Sequence, residues 1–298
     1  MFLSIKFKNH NLNFLSGIIQ ELVHGGYLTA LGAPSLVLTT MIITASQVNI
    51  PLLVISYLLP LIVYSFDYMR DLDKDLETNT ERSQHLQKKK KIYPFILTFY
   101  ITMLIMLLLL FSNINLVIFI VLITLGGFLY ATALKGLTKK IPLFKNIYTV
   151  LTWSLGGTLF VSLFLSIPFS ISFIVIFTFI NLKGMINAIF FDLKDHISDS
   201  KEGLKTLPVL LGRKNAIKCL HILNLLAIVP IIIGVYYRII PTISLSLIVF
   251  FLYSFYYLRT AQNAKNDEVW VKLGSIADFE FMFWPVLLVS VLIVCRMI

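Results

Sequence analysis

The sequence predicts an all-α integral membrane protein of nine transmembrane helices. Three observations predict it. Apolar stretches of about 20 residues, the length that crosses a bilayer as a helix, recur along the whole chain. Only 13% of the 298 residues are charged and 58% are hydrophobic, whereas a soluble domain is about 25% charged. Apolar and polar residues do not alternate, as the strands of a membrane β-barrel would require.

The spans are expected at roughly 22–46, 51–71, 93–112, 115–135, 143–165, 168–192, 215–237, 241–260 and 276–296. Pro94, Pro142, Pro168 and Pro241 stand near span starts, where a missing N–H costs little. Pro34, Pro60 and Pro230 fall inside spans, which predicts local kinks. The connections at 47–50, 113–114, 166–167 and 238–240 are short, and those at 72–92, 136–142, 193–214 and 261–275 are longer and polar.

The long connections, their flanking span ends and the N-terminus carry 22 of the 25 Lys and Arg residues. By the positive-inside rule this side is cytoplasmic, and the C-terminus lies outside. The net charge of +10 is thereby explained by topology, and no nucleic-acid partner is expected. Lys88–Lys91 reads as an anchor for lipid headgroups. Residues 1–21 carry Phe2, Leu3, Ile5 and Phe7 beside Lys6 and Lys8 and read as an interfacial segment of a single domain spanning 1–298. No cleavable signal peptide is expected there. Cys219 and Cys295 are far apart in apolar runs and read as packed thiols, which excludes a disulfide framework or a zinc site.

The acidic residues are not spread evenly. Asp67, Asp71, Asp73, Asp75, Glu77 and Glu81 follow the second span, and Asp192, Asp195, Asp199 and Glu202 follow the sixth, so these two places hold 10 of the 15 acids. On a helix Asp192, Asp195 and Asp199 fall at about 0°, 300° and 340°, one narrow face. Asp67, Asp71 and Asp75 drift by only about 40° per step, about 80° over two turns. Carboxylates gathered this way repel each other unless a cation sits between them, and their oxygens suit a hard divalent ion such as Mg²⁺ that also grips substrate phosphates. Both clusters fall on the cytoplasmic side. Two such sets facing one cavity would hold metal against a diphosphate, a leaving group that departs once its charge is neutralised. An apolar membrane cavity would shield the allylic cation from water.

Between the clusters, Tyr130, Lys135, Lys139, Lys140 and Asn146 stand on the same cytoplasmic face as donors for diphosphate oxygens. Lys183 lies mid-span with Asn187 near it. An intramembrane lysine is a functional candidate by default, and both are candidate cavity residues, with snorkelling the rival reading for Lys183. Glu21 and His24 stand three residues apart at the first span, placed to pair with each other or to touch an acceptor. His196 reads as a solvated neighbour of the second cluster, and Asp278 and Glu280 at the last span leave open whether they face a cavity.

These residues carry a resemblance. Asp192, Asp195 and Asp199 followed by Gly203, Thr206, Leu207, Pro208 and Val209 resemble the second signature of the UbiA superfamily of intramembrane prenyltransferases, D-x-x-D-x-x-x-D then G-x-x-T-L-P-V. Asp71 and Asp75 match the acids of the first signature, N-x-x-x-D-x-x-x-D. Arg82 matches a recurrent arginine, Tyr130 and Lys135 a Y-x-x-x-x-K element, and Asn146 a following asparagine. The departures lie in the first signature. Asp67 stands in place of Asn, Tyr68 where an Asp often follows, Asp73 is an additional acid, and Ser83 follows Arg82 where Pro is usual.

The resemblance implies nine helices around a central cavity, with a cytoplasmic cap formed by the loops after helices 2 and 6, about 72–92 and 193–214. It implies metal binding by Asp67, Asp71, Asp75, Asp192, Asp195 and Asp199, with Mg²⁺ as the cofactor. Arg82, Lys135, Lys140, Lys205 and Asn146 are the diphosphate-binding candidates, and Asp71, Asp195, Tyr130 and Lys135 the catalytic ones. The expected activity is Mg²⁺-dependent transfer of a prenyl group from a prenyl diphosphate to a lipophilic or aromatic acceptor, with the lipid bilayer as surroundings. A terpene cyclase on the same scaffold, needing no acceptor, is the alternative. A cation transporter fits less well, because the acids sit at one end of the bundle and not near the midplane.

Overall fold

The computed structural model describes residues 21–70, 72, 80–264 and 267–297, with the backbone alone at 80, 81, 135, 267, 268, 296 and 297. The described residues form helices and turns with no strand among them. Asp71 and Asp75 lie outside the described residues, as do Asp73, Glu77 and the interfacial segment apart from Glu21.

The helices are α1 (Tyr27–Ala30), α2 (Gly32–Ile43), α3 (Ile50–Arg70), α4 (Thr80–Gln87), α5 (Tyr93–Phe111), α6 (Ile114–Thr132), α7 (Phe144–Phe164), α8 (Ile171–Lys201), α9 (Leu207–Leu211), α10 (Arg213–Leu226), α11 (Ile228–Tyr236), α12 (Val249–Gln262) and α13 (Asp267–Met297). Short 3₁₀ helices cover Leu134–Lys139 and Thr242–Ile248.

Among the described residues eight segments are long and apolar enough to cross a membrane, including Arg213–Tyr236, made of α10 and α11, and Thr242–Gln262. The expected first span at 22–46 is shorter than predicted. Its apolar helix covers Tyr27–Ile43, because Gly26 adopts a left-handed backbone (φ 77°) at the start of α1 and Ala45 one (φ 51°) past the end of α2. Pro34 stands at the start of a helix and not in its interior. It is the third residue of α2, in the first turn, whose N–H groups have no helical partner. Pro60 does lie inside α3. The sixth span runs longer than predicted: α8 continues through Lys201, so the stretch expected to begin a loop at 193 is helix for two further turns.

The helices close into a ring. α2 packs on α3, α7 and α13. From there α3 meets α5 and α6, α6 meets α7, α7 meets α8, α8 meets α10 and α11, α10 meets α12, and α12 meets α13. Glycines set the tightest approaches. A Cβ on Gly184 would stand 3.0 Å from Val150, and one on Gly157 3.0 Å from Leu36, the close small-residue contact by which helices associate in lipid. Outward, α5 and α6 present bare apolar side chains, with Phe95 75% and Leu109 81% exposed. In water such a face would be an aggregation surface, and in a bilayer it is the solvated one.

Candidate active site

The second acidic cluster is built where α8 leaves the bundle. Asp192 is 1% exposed. Its Oδ1 accepts from Lys145 Nζ at 3.1 Å and its Oδ2 from Asn146 Nδ2 at 2.7 Å. Both donors come from the first turn of α7, which packs along α8. A buried carboxylate needs such a cation and such a donor to remain charged. Asn146 Oδ1 is buried without a hydrogen-bond partner. With one N–H given to Asp192, the free Oδ1 of Asn146 is an acceptor that suits a donor or a cation.

The local sequence after the cluster explains its signature. Leu204 N donates to Asp199 O at 2.9 Å and Gly203 N to Ser200 O at 3.1 Å, the paired bonds of a Schellman stop. Gly203 holds φ +73°, a backbone that side chains rarely adopt. The chain thereby doubles back, and Thr206 Oγ1 donates to Asp199 Oδ2 at 3.2 Å. Thr206 also precedes α9, and Pro208 stands in that helix's first turn. Lys205 docks the turn on the preceding loop: its N donates to Thr138 O and its O accepts from Leu143 N, both at 2.9 Å. Asp195, one turn before Asp199, is exposed.

A cavity of ≈310 Å³ opens between α2, α3, α7, α8 and α13. Lys145, Asn146, Asn187 and Asp278 supply polar wall, and Leu36, Trp153, Ile180 and Phe281 supply apolar wall. Phe191, which precedes Asp192, lines it, and so does Tyr64, one turn before Asp67. Both acidic helices therefore border one space. Tyr64 and Trp153 are shared with a second cavity of ≈100 Å³, walled mainly by apolar residues and by Gly127, Gly156 and Gly157, with Ser56, Thr124 and Thr152 among them. Asp67 and Asp278 both lie within electrostatic reach of Tyr64 and Tyr68.

The other predicted residues divide. Asn187 lines the large cavity as expected. Tyr130 stacks on Tyr148, centroids 4.8 Å apart, within electrostatic reach of Lys145. Arg82 lies over the Tyr68 ring at 4.2 Å, next to the first cluster. Lys205 Nζ donates to Lys140 O at 3.1 Å, and Lys139 and Lys140 are exposed on that loop. The Lys135 side chain lies outside the described residues.

Lys183 borders a small separate cavity with Asn224 and Phe251. It is 3% exposed and is absent from the walls of the large cavity. It neither snorkels nor faces that space, because Glu280 on α13 attracts it inward, as does the Phe250 carbonyl at 3.1 Å. Glu21 and His24 do not pair with each other either. Glu21 binds His85 Nε2 at 2.8 Å and also Lys89, and the His24 ring lies 5.6 Å from that of His85. The cysteines are less packed than expected, Cys219 half-buried and Cys295 exposed. Lys145, Tyr64 and Trp153 carry the site and were not singled out from the sequence. Lys145 had a signal, since it adjoins Asn146 at the end of the span where both clusters lie.

Among the described residues no group of three or more His, Cys, Asp and Glu stands close enough to hold a metal ion. The donors present at Asp192, Asp195, Asp199 and the unpartnered Asn146 Oδ1 are all oxygens, the set that suits a hard divalent cation.

A model of the UbiA prenyltransferase family matches residues 85–286. The chain belongs to the UbiA prenyltransferase family. The match begins after the first acidic cluster, where the departures from the UbiA signature lie. Among solved structures, a UbiA homologue from Aeropyrum pernix K1 is similar with a TM-score of 0.66 at 13% identity, covering 90% of this chain and 98% of that one. A UbiA homologue from Archaeoglobus fulgidus bound to GPP and Mg²⁺ gives 0.60 at 15% identity, covering 91% and 98%. A digeranylgeranylglyceryl phosphate synthase gives 0.58 at 17% identity, covering 92% and 97%. At these identities the likeness is one of fold. No curated protein matches the sequence. Family and helices together make this an integral membrane protein.

Proposed function

We propose that this UbiA family member transfers a prenyl group from a prenyl diphosphate to a lipophilic or aromatic acceptor, in a Mg²⁺-dependent reaction inside the membrane, at a site that opens to the cytoplasm. The observation that carries the proposal is the pair of adjoining cavities. The larger is polar where it meets Lys145, Asn146 and the end of α8, and beyond Tyr64 and Trp153 the smaller is almost wholly apolar. A prenyl diphosphate has the same polarity, charged at one end and hydrocarbon at the other. The Archaeoglobus homologue's binding of GPP and Mg²⁺ supports the donor class and the metal.

Asp67, Asp71, Asp75, Asp192, Asp195 and Asp199 would hold the cation, with Asn146 Oδ1 beside them. When bound, the divalent ion neutralises the diphosphate, which makes it a better leaving group. The chain's own residues do the rest. Asp192 holds Lys145 at the cavity wall as a fixed positive charge for the diphosphate, and Arg82, Lys135, Lys140 and Lys205 supply further donors from the surrounding loops. Lys205 and Lys140 are already joined, so they would act as one edge of the site. Tyr64 and Trp153 present aromatic faces to the reacting carbon, where a developing allylic cation is stabilised. The apolar walls exclude water that would otherwise capture it. The α4 segment and the turn at 202–206 form the cap, and the whole of 1–298 acts as one domain.

The test is acceptor-dependent release of diphosphate from radiolabelled geranylgeranyl diphosphate by purified protein with Mg²⁺. A cyclic hydrocarbon formed without acceptor would assign the alternative, a terpene cyclase. Ion flux in liposomes with no turnover of any prenyl diphosphate would sink both.

A further inference from the structure

The wall of the large cavity also holds a carboxylate that is not part of the acidic signature. Asp278 comes from α13 and faces the cavity. Its side-chain hydrogen-bond partner is Asn187, whose amide also donates to Ala277 O at 3.1 Å. No cation pairs with Asp278 among the described residues. Lys145, the cation on the same cavity, is committed to Asp192.

The orientation of Asp278 is fixed from behind. Glu280 stands two residues on, about 200° around the helix. It is buried against Lys183, Ser254 Oγ at 2.9 Å and Tyr257 OH at 3.2 Å. With Glu280 held in the α8–α12 side of the bundle, the opposite face of α13 and its Asp278 are turned toward the cavity. A carboxylate held there is a hydrogen-bond acceptor, and it repels any second anion brought to the same wall.

We propose that Asp278 is the acceptor-side catalytic residue: it binds the nucleophilic hydroxyl of a lipophilic alcohol and takes its proton as the prenyl group is transferred. This rests on the prenyl-transfer reading and narrows it to acceptors that present a hydroxyl, and not a carboxylate, to this wall. The step balances. The allylic C–O bond to diphosphate breaks and the electron pair leaves with the diphosphate. The acceptor oxygen forms the new C–O bond to the allylic carbon, and its proton passes to an Asp278 carboxylate oxygen. Asn187 holds the carboxylate in place while it does so. A positioned base of this kind contributes about 10²–10⁴ in rate.

The experiment compares the full-length wild type with Asp278→Asn in detergent, with Mg²⁺ and geranylgeranyl diphosphate. Geranylgeranylglycerol and geranylgeranylglyceryl phosphate serve as hydroxyl acceptors, and 4-hydroxybenzoate as a carboxylate-bearing one. Donor binding is measured separately by equilibrium titration. The expected result is a wild type that uses at least one hydroxyl acceptor in preference to 4-hydroxybenzoate. The variant then binds donor as tightly or more tightly, and transfers at least about 100-fold more slowly. Transfer by Asp278→Asn within threefold of wild type overturns the assignment. So does a wild type that binds donor but prefers 4-hydroxybenzoate, or that uses neither hydroxyl acceptor. If Asp278→Asn loses donor binding as well, Asp278 belongs to the donor site and the assignment is equally overturned. A wild type that does not bind prenyl diphosphate refutes the prenyl-transfer reading itself, a different outcome from any of these.

Discussion

Lys183 Nζ lies 2.5 Å from Glu280 Oε1, with both side chains 2% exposed. The pair joins α8 to α13 in the interior of the bundle, and Asn224, Ser254 and Tyr257 complete its hydrogen bonds. Removing one member leaves the other charge buried and uncompensated, which costs about 3–5 kcal/mol. We predict that Lys183→Met lowers the thermal midpoint of the detergent-solubilised protein by on the order of 10 °C. The double variant Lys183→Met/Glu280→Met regains most of the loss, because neither charge is then stranded. A single variant as stable as wild type would show that the pair does not form.

Asn146 and Lys145 hold Asp192 from two sides. We predict that Asn146→Ala and Lys145→Met each reduce diphosphate release by roughly 100-fold, the usual cost of losing one fixed stabilising group in a dry site. Initial rates with saturating Mg²⁺ check this. The melting temperature serves as the control for folding.

A Cβ on Gly156 would meet nothing nearer than Phe160 at 4.0 Å, so a side chain fits there. It would occupy the apolar cavity that Gly156 lines. We predict that Gly156→Leu shifts preference from geranylgeranyl toward geranyl or dimethylallyl diphosphate by about tenfold, the effect of a few methylenes in a hydrophobic pocket. Competition between labelled donors of two lengths reads the shift directly.

Glu21 ties the residues before α1 to α4. Burial raises its carboxyl, but Lys89 and His85 outweigh burial and hold it below the ordinary value. A carboxylate depressed on folding stabilises above its unfolded pKa and loses that contribution as pH falls through the folded one. We predict that Glu21→Gln lowers the thermal midpoint at pH 7 by an amount corresponding to less than about 1 kcal/mol. The difference from wild type should shrink below about pH 4 and vanish in stronger acid. A difference that grows on acidification would contradict the assignment.

Much of this was legible in the residues, for identifiable reasons. Asp192, Asp195 and Asp199 announce one helical face by spacing alone, and Gly203 with Thr206 stood out as part of a signature, though not as the turn that closes on Asp199. Long apolar runs announce the spans. The failures are equally physical. Helix ends are set by backbone stops, so α8 outlasted its apolar stretch until Gly203 ended it, and the first span was cut short at Gly26. The Lys183–Glu280 pair was hidden because its members are 97 positions apart in the chain and no local pattern joins them. Lys145 was hidden among lysines that topology alone would explain. Asp278 could be assigned to the cavity only once α13 was packed against α2.

The central claim is that the two acidic helices serve one diphosphate site, and Mg²⁺-dependent diphosphate release from radiolabelled geranylgeranyl diphosphate, in the presence of a productive acceptor, tests it most directly. The account predicts release by the wild type, its abolition by EDTA, and its loss by at least about 100-fold in both Asp71→Ala and Asp195→Ala, each still folded in detergent. Wild-type rates in either variant, or release undiminished by EDTA, would contradict it.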